Sequence, residues 1–317
     1  MRTAVAVREP NFFLVGASRA GTTSLWRYLV EHPDIFMPAR GMAEKEPSHF
    51  CDLAPAWARA YRDAERYRSL FAAANGQTAV GEASTPYLVA PEVPARLRAA
   101  YPNARIIIVL RDPAERAFSL YRYLCLLGVE WATSFEQALD LEAERIADEQ
   151  FKHDNPLWFY LYLYFNSGLY SAQVQRYLDV FPADQVHVVL SDELEQDARG
   201  AAGRVYRFLG VDDTFAPNVV RYNESRFPLW IRLQYWLGHD VARHPMEVAP
   251  TTLGGHVRRR AYLANTRLGQ FRARAFHTNT RRRLRAAYAD DVRLTARLIG
   301  KPLDSWLPQT DDPTHQP

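Results

Sequence analysis

Residues 12–23 read FFLVGASRAGTT. Four apolar residues, Phe12 to Val15, run into a loop that holds Gly16 and Gly21 five apart, and Thr22 opens a stretch of helical period. A strand that turns through glycines into a helix is the entry of a parallel α/β sheet. The same turn suits an anion: glycines let backbone N–H groups point inward, and the helix start adds the positive end of its dipole. Thr22, Thr23 and Ser24 add hydroxyl donors, and Arg19 sets a cation inside the loop.

Outward from this segment, apolar runs alternate with helical patterns through two thirds of the chain. Strands are expected at Phe12 to Gly16, Ile35 to Met37, Ala79 to Glu82, Arg105 to Leu110 and Val186 to Leu190, giving a parallel sheet of four or five strands flanked by helices. Thr22 to Glu31 and Pro113 to Leu127 read as helices, the second with Ala117, Leu120, Tyr121, Leu124 and Leu127 on one face and Pro113 in its first turn. Ser134 followed by Gln137 resembles a capping box and predicts one helix to about Glu149. Ser171 to Val180, Ala201 to Leu209 and Thr280 to Ile299 are further helices. No Gly/Ser/Pro linker divides the chain, so residues 1–317 read as one domain: an α/β core over 10–215 and a helical, Arg-rich elaboration over 216–317.

Composition sets the class. A chain of 317 residues with 48% hydrophobic and 24% charged residues is globular, and about three quarters of its unfolded surface is expected to be buried. Two cysteines, Cys51 and Cys125, make no disulfide framework and show no metal-ligand spacing. No export signal is read at the start, and no apolar run approaches the roughly 18 residues of a spanning helix. A cytoplasmic protein without stable membrane insertion is expected. Net charge is only +3, yet no acidic residue falls between Glu247 and Asp290, where ten arginines lie. That window reads either as a solvated helix face or as a surface for an anionic partner.

Against the nucleotide triphosphatase pattern GxxxxGK[ST], the lysine position is Thr22. The cation that reaches the β- and γ-phosphates is therefore missing, and a nucleotide with a single 5′-phosphate carrying another group fits better. The second informative stretch is Arg105 to Leu124, RIIIVLRDPAERAFSLYRYL. Arg111 ends a strand, where open α/β sheets bind ligands, and its guanidinium suits bidentate phosphate contact. Ser119 lies off the apolar stripe of the helix that follows.

These residues resemble the sulfotransferases that use 3′-phosphoadenosine 5′-phosphosulfate (PAPS), in the bacterial and heparan-sulfate-sulfotransferase-like branch. GASRAGTT is similar to the family's 5′-phosphosulfate loop, VLRDPAERAFSLY to its 3′-phosphate segment, and AEKEPSHF to the region that carries the acceptor base. GEASTPYL at 81–88, GLYSAQVQRYLDVFP at 168–182 and VHVVLSDEL add support. The resemblance implies that Ser18, Arg19, Ala20, Gly21, Thr22, Thr23 and Ser24 hold the 5′-phosphosulfate. It places the 3′-phosphate on Arg111 and Ser119, with Arg258 and Arg259 of a downstream basic loop and Tyr222 of RYNESRFP reaching the nucleotide. The chain departs from the family at Arg19, often a lysine, and near Ser84, where glycosaminoglycan-modifying relatives tend to carry a lysine.

The implied reaction is an in-line sulfuryl transfer to a hydroxyl, with PAPS as co-substrate and no metal. Glu46 matches the family's catalytic glutamate and is the expected base, His49 is its rival, and Lys45 or Arg19 would offset charge on the departing oxygen. The acceptor stays open between a glycan, a lipid and a small metabolite. The aromatic stretches 157–165 and 227–236 read as core or as acceptor lining. Two other readings are a P-loop nucleotide kinase, with Asp112 holding magnesium, and a non-enzymatic binder of an anionic polymer through the Arg-rich window. With cations at Arg19 and Arg111, that window is expected to serve a donor or acidic acceptor rather than nucleic acid.

Overall fold

In the computed structural model, which describes residues 9–39, 42–53, 61–155, 159–219, 227–243, 253–269 and 275–309, β1 (Phe12–Gly16) is the middle strand of a five-stranded parallel sheet. β2 (Ile35–Phe36) and β3 (Ala79–Ala83) lie to one side, β4 (Arg105–Leu110) and β5 (Val186–Leu190) to the other, in the order β2-β3-β1-β4-β5. β1 and β3 are buried throughout, and β4 is buried from Ile106 onward. This is why they read as continuous apolar runs rather than alternating ones: helices cover both faces. The sheet is the expected α/β class, and the strand bounds depart from the expected ones by one residue at most.

The order creates a crevice. The chain leaves β1 toward β2 on one flank and leaves β4 toward β5 on the other, so the carboxyl ends of β1 and β4 diverge side by side. Ligands of open α/β sheets bind at such a switch point. Register Leu14↔Ile107, followed by an irregularity and Gly16↔Ile108, holds the two strand ends together.

Among the described residues, five α-helices lie between Thr22 and Leu127. α1 (Thr22–Glu31) follows β1 and buries Thr22, Leu25, Tyr28 and Leu29. The short α2 (Met42–Lys45) leads to Glu46, α3 (Ala64–Ser69) starts on an Asp63 cap, and α4 (Val93–Ala100) precedes β4. α5 (Pro113–Leu127) has Pro113 at its start, Asp112 as N-cap and Gly128 as its left-handed stop. The helix Thr278–Ile299 lies against α5: Arg285 pairs with Asp112 at 2.6 Å, and the Tyr288 hydroxyl donates to the Phe165 carbonyl at 2.9 Å.

The single helix expected from Ser134 to about Glu149 is two, Phe135–Asp140 and Glu142–Ala147, and a third, Glu149–Asp154, begins where it was expected to end. Asp148 accepts from the Gln150 and Phe151 N–H groups at 2.8 and 3.1 Å and so restarts the chain as a new N-cap. Ser134 does cap, accepting from the Gln137 N–H at 3.1 Å. The reciprocal half of the box is absent, because the Gln137 side chain accepts instead from the Thr133 N–H at 2.9 Å.

Downstream, Ile231–Arg243 and Leu253–Gly269 form an antiparallel helix pair. Its seam is polar. Asn265 Nδ2 donates to Gln234 Oε1 at 2.8 Å, and Gln234 Nε2 donates to Thr266 Oγ1 at 3.1 Å and to the Leu126 carbonyl at 2.9 Å. The pair is thereby seated on the C-terminal end of α5.

Candidate active site

Between β1 and α1 the backbone passes through two left-handed residues, Arg19 (φ 67°) and Gly21 (φ 103°). Gly21 is the N-cap of α1, and its conformation is one that a side chain would strain. It carries no capping side chain, and the first turn, Thr22 to Ser24, contains no acid. The helix start thus presents N–H groups and a dipole end that only an external acceptor can satisfy fully.

Arg19 joins this loop to α5. Its Nε donates to Ser119 Oγ at 3.3 Å, and its guanidinium lies 4.7 Å from the centre of the Tyr123 ring. Burial lowers the Arg19 pKa, Tyr123 opposes this, and Arg111 and Arg122 reinforce it. Like charges gathered in this way repel one another, and a bound anion would relieve that repulsion. Arg111, at the end of β4, has its own carbonyl held by the Tyr170 hydroxyl at 3.0 Å. The two motifs, about a hundred positions apart in the chain, therefore meet across one crevice.

The third element is the Lys45–Glu46 pair. Both side chains are nearly sealed from solvent. Lys45 Nζ donates to Thr23 Oγ1 at 3.0 Å and to Glu46 Oε1 at 3.3 Å, and lies over the Trp26 ring. Glu46 Oε2 accepts from Thr85 Oγ1 at 2.9 Å. The pair bridges the first turn of α1 and the end of β3, so the carboxylate is held by a cation on one oxygen and a hydroxyl on the other. A pair this dry needs such partners, since desolvation otherwise outweighs attraction.

Of the expected site residues, the structure groups Arg19, Gly21, Thr22, Thr23, Lys45, Glu46, Arg111 and Ser119. Ser18 and Ser24 flank them, with Ala20 packed in the core beneath. It sets three others apart. His49 turns its Nδ1 to the Tyr61 carbonyl and stacks on Tyr67 at 4.2 Å, and burial lowers its pKa. It is part of an aromatic cluster with Phe50. Arg258 donates to the carbonyls of Leu237 (2.9 Å) and Trp236 (2.5 Å), beyond the C-terminal end of α5, while Arg111 precedes its N-terminal end. Fifteen helical residues put these ends about 22 Å apart. Arg259 is exposed on the same helix as Arg258, so the expected basic loop is a helix face here. Tyr222 lies outside the described residues.

Three contributors escaped the sequence reading. Thr85 sits in STPY, where nothing local distinguishes it from a turn residue. Tyr160, whose hydroxyl lies against Thr85 close to Glu46, comes from a stretch read as core or as acceptor lining. Tyr123 is one turn beyond Ser119, and that spacing alone could have placed it beside Arg19. Asp112, the acid a kinase would need for magnesium, is engaged elsewhere. It caps α5 through the Ala114 N–H at 2.9 Å and receives two hydrogen bonds from Arg285.

A glycine loop at a helix start beside a strand-end arginine, on neighbouring strands of a parallel sheet, defines an α/β protein with cations gathered at its switch point. Residues 10–215 match the Sulfotransferase family, and the chain belongs to it. A solved sulfotransferase from Alicyclobacillus acidocaldarius is 33% identical, with a TM-score of 0.69 over 95% of this chain and 99% of that one. Among curated proteins, the human bifunctional heparan sulfate N-deacetylase/N-sulfotransferase 3 is 25% identical over 95% of this chain. Human heparan sulfate glucosamine 3-O-sulfotransferase 6 is 28% identical over 70%. The matches span 31% and 58% of the lengths of those two relatives.

Proposed function

We propose that the protein moves a sulfuryl group from PAPS to a hydroxyl of a carbohydrate, lipid or small metabolite, with Glu46 as the base. The observation that carries this reading is the enclosed Lys45–Glu46 pair, fixed between the first turn of α1 and Thr85 beside an anion crevice. When bound, the donor supplies an activated sulfuryl group on its 5′-phosphate. The α1 amides, Thr22, Thr23 and Arg19 would hold that end, and Arg111 and Ser119 the 3′-phosphate. The crevice fits such a group: its helix start has no capping side chain, and it draws together cations whose mutual repulsion an anion relieves.

Glu46 takes the proton of the acceptor hydroxyl as that oxygen bonds to sulfur. Its two hydrogen bonds keep one lone-pair direction of the carboxylate aimed, which lowers the reorganisation needed during transfer. Lys45 or Arg19 would offset the charge that returns to the oxygen sulfur leaves. The heparan sulfate enzymes among the relatives favour a carbohydrate acceptor within the three classes.

Glu46→Gln tests the assignment. Turnover should fall by about 10²- to 10⁴-fold, with donor affinity, read by calorimetry with the desulfated nucleotide, nearly unchanged. Full activity in Glu46→Gln together with loss in His49→Ala would move the role to His49.

A further inference from the structure

The antiparallel pair Ile231–Arg243 and Leu253–Gly269 buries Ile231 and Leu237 but has a polar seam and an apolar outer face. Gln234, Asn265 and Thr266 are buried in its seam, while apolar side chains face water. Of the eight large hydrophobic residues exposed among the described residues, five belong to this pair or its entry: Trp230 (57%), Trp236 (68%), Val257 (60%), Leu263 (43%) and Leu268 (54%). On the second helix, Val257, Ala261, Ala264 and Leu268 recur at intervals of four, three and four, so they form one stripe. Arg260 and Arg267, seven apart and both exposed, run alongside it. The helix holds no acidic residue.

We propose that this face docks the protein on an anionic lipid surface, with the second helix lying in the interface plane. An apolar stripe bordered by arginines is the pattern of helices that rest between headgroups and acyl chains. Tryptophans favour that depth, and guanidinium groups bind lipid phosphates bidentately. The aliphatic part of the stripe decides against a glycan, whose hydroxyls gain nothing from Val257 or Leu268. A second copy is disfavoured because a two-fold contact would set arginine against arginine. No described helix is long and apolar enough to cross a membrane, so the contact is peripheral. The pair is anchored to α5 through Gln234 and Tyr262, which both donate to the Leu126 carbonyl. Tyr123, which stacks on Arg19, lies one turn earlier on α5.

Flotation of the full chain with phosphatidylcholine vesicles, with and without phosphatidylglycerol, tests this without any donor. It stands or falls apart from the sulfuryl-transfer reading. Binding is expected only to the mixed vesicles, weakening with salt and falling about tenfold or more in both Trp236→Ser/Leu268→Ser and Arg260→Glu/Arg267→Glu. All substituted side chains are exposed, and an unchanged melting temperature confirms folding. No binding to mixed vesicles overturns the proposal, as does binding that both variants retain. A variant-sensitive dimer, or variant-sensitive binding of a soluble sulfated glycan with vesicles ignored, reassigns the face and overturns it too.

Discussion

Glu82 shows how one buried group ties the site to the stability of the fold. It is the penultimate residue of β3, three before Thr85, and is 1% exposed, and neither carboxylate oxygen makes a hydrogen bond of ordinary geometry. Burial raises its pKa to about 8, with the charge of Glu46 adding and the nearby Tyr87 hydroxyl offsetting a part. The folded chain therefore keeps the proton at pH values where the unfolded chain, near the ordinary 4.5, has lost it. Its contribution is complete below the unfolded value and is lost as pH rises toward about 8. Melting temperature should decline over that interval, by an amount of the order of a few kcal/mol in stability, and Glu82→Gln should flatten the decline. An equally steep profile in Glu82→Gln would show that another group titrates. Arg111→Ala has a different readout. It removes a charge-assisted contact, so the affinity for adenosine 3′,5′-bisphosphate should fall by about ten- to a hundredfold, and unchanged affinity would withdraw Arg111 from the 3′-phosphate.

Arg19 and Arg111 could be placed at one end of the sheet from the sequence because each lies just beyond the strand it follows, whereas Glu46, behind a short helix, came only from the resemblance of AEKEPSHF. Thr85 and Tyr160 could not be placed, since their roles exist only through the neighbour the fold brings to them. The same division runs through the secondary structure. α5 could be bounded from Asp112, Pro113 and Gly128, because start and stop signals are local. The break of 135–154 into three helices could not, for the apolar stripe of Phe135, Leu139, Ala143 and Ile146 continues across it while Asp148 restarts the backbone. Asp112 has two tasks, capping α5 and pairing with Arg285, whose side chain is largely buried. Asp112→Ala should cost about 3–5 kcal/mol, more than a cap alone, because it also strands the guanidinium. Asp112→Asn should recover the cap and about 1 kcal/mol of that loss. Chemical denaturation of both variants measures the split.

Across the molecule, the last long helix is fastened to the core by contacts that no local pattern announces. Asp291 accepts from the Tyr170 N–H at 2.7 Å and the Ser171 N–H at 3.2 Å, supplying to the helix Tyr170–Leu178 the cap that its own preceding residue, Leu169, lacks. A residue 120 positions away thus does the work of an N-cap. Asp291→Ala is expected to lower stability by about 1–2 kcal/mol in a single transition, and two separate transitions would show that the C-terminal helix melts independently. The average charge of +3 said little about this architecture, because it merges the cations of the crevice with those of the helix pair. The β1–β4 register has one further consequence. Since the loop with Arg19 and the turn with Arg111 issue from neighbouring strands, the spacing of the two arginines is set by backbone pairing. Segments at the rim can be exchanged without altering that spacing. A lineage built on such a frame can vary its rim by surface substitution while it inherits the separation of Arg19 and Arg111 intact.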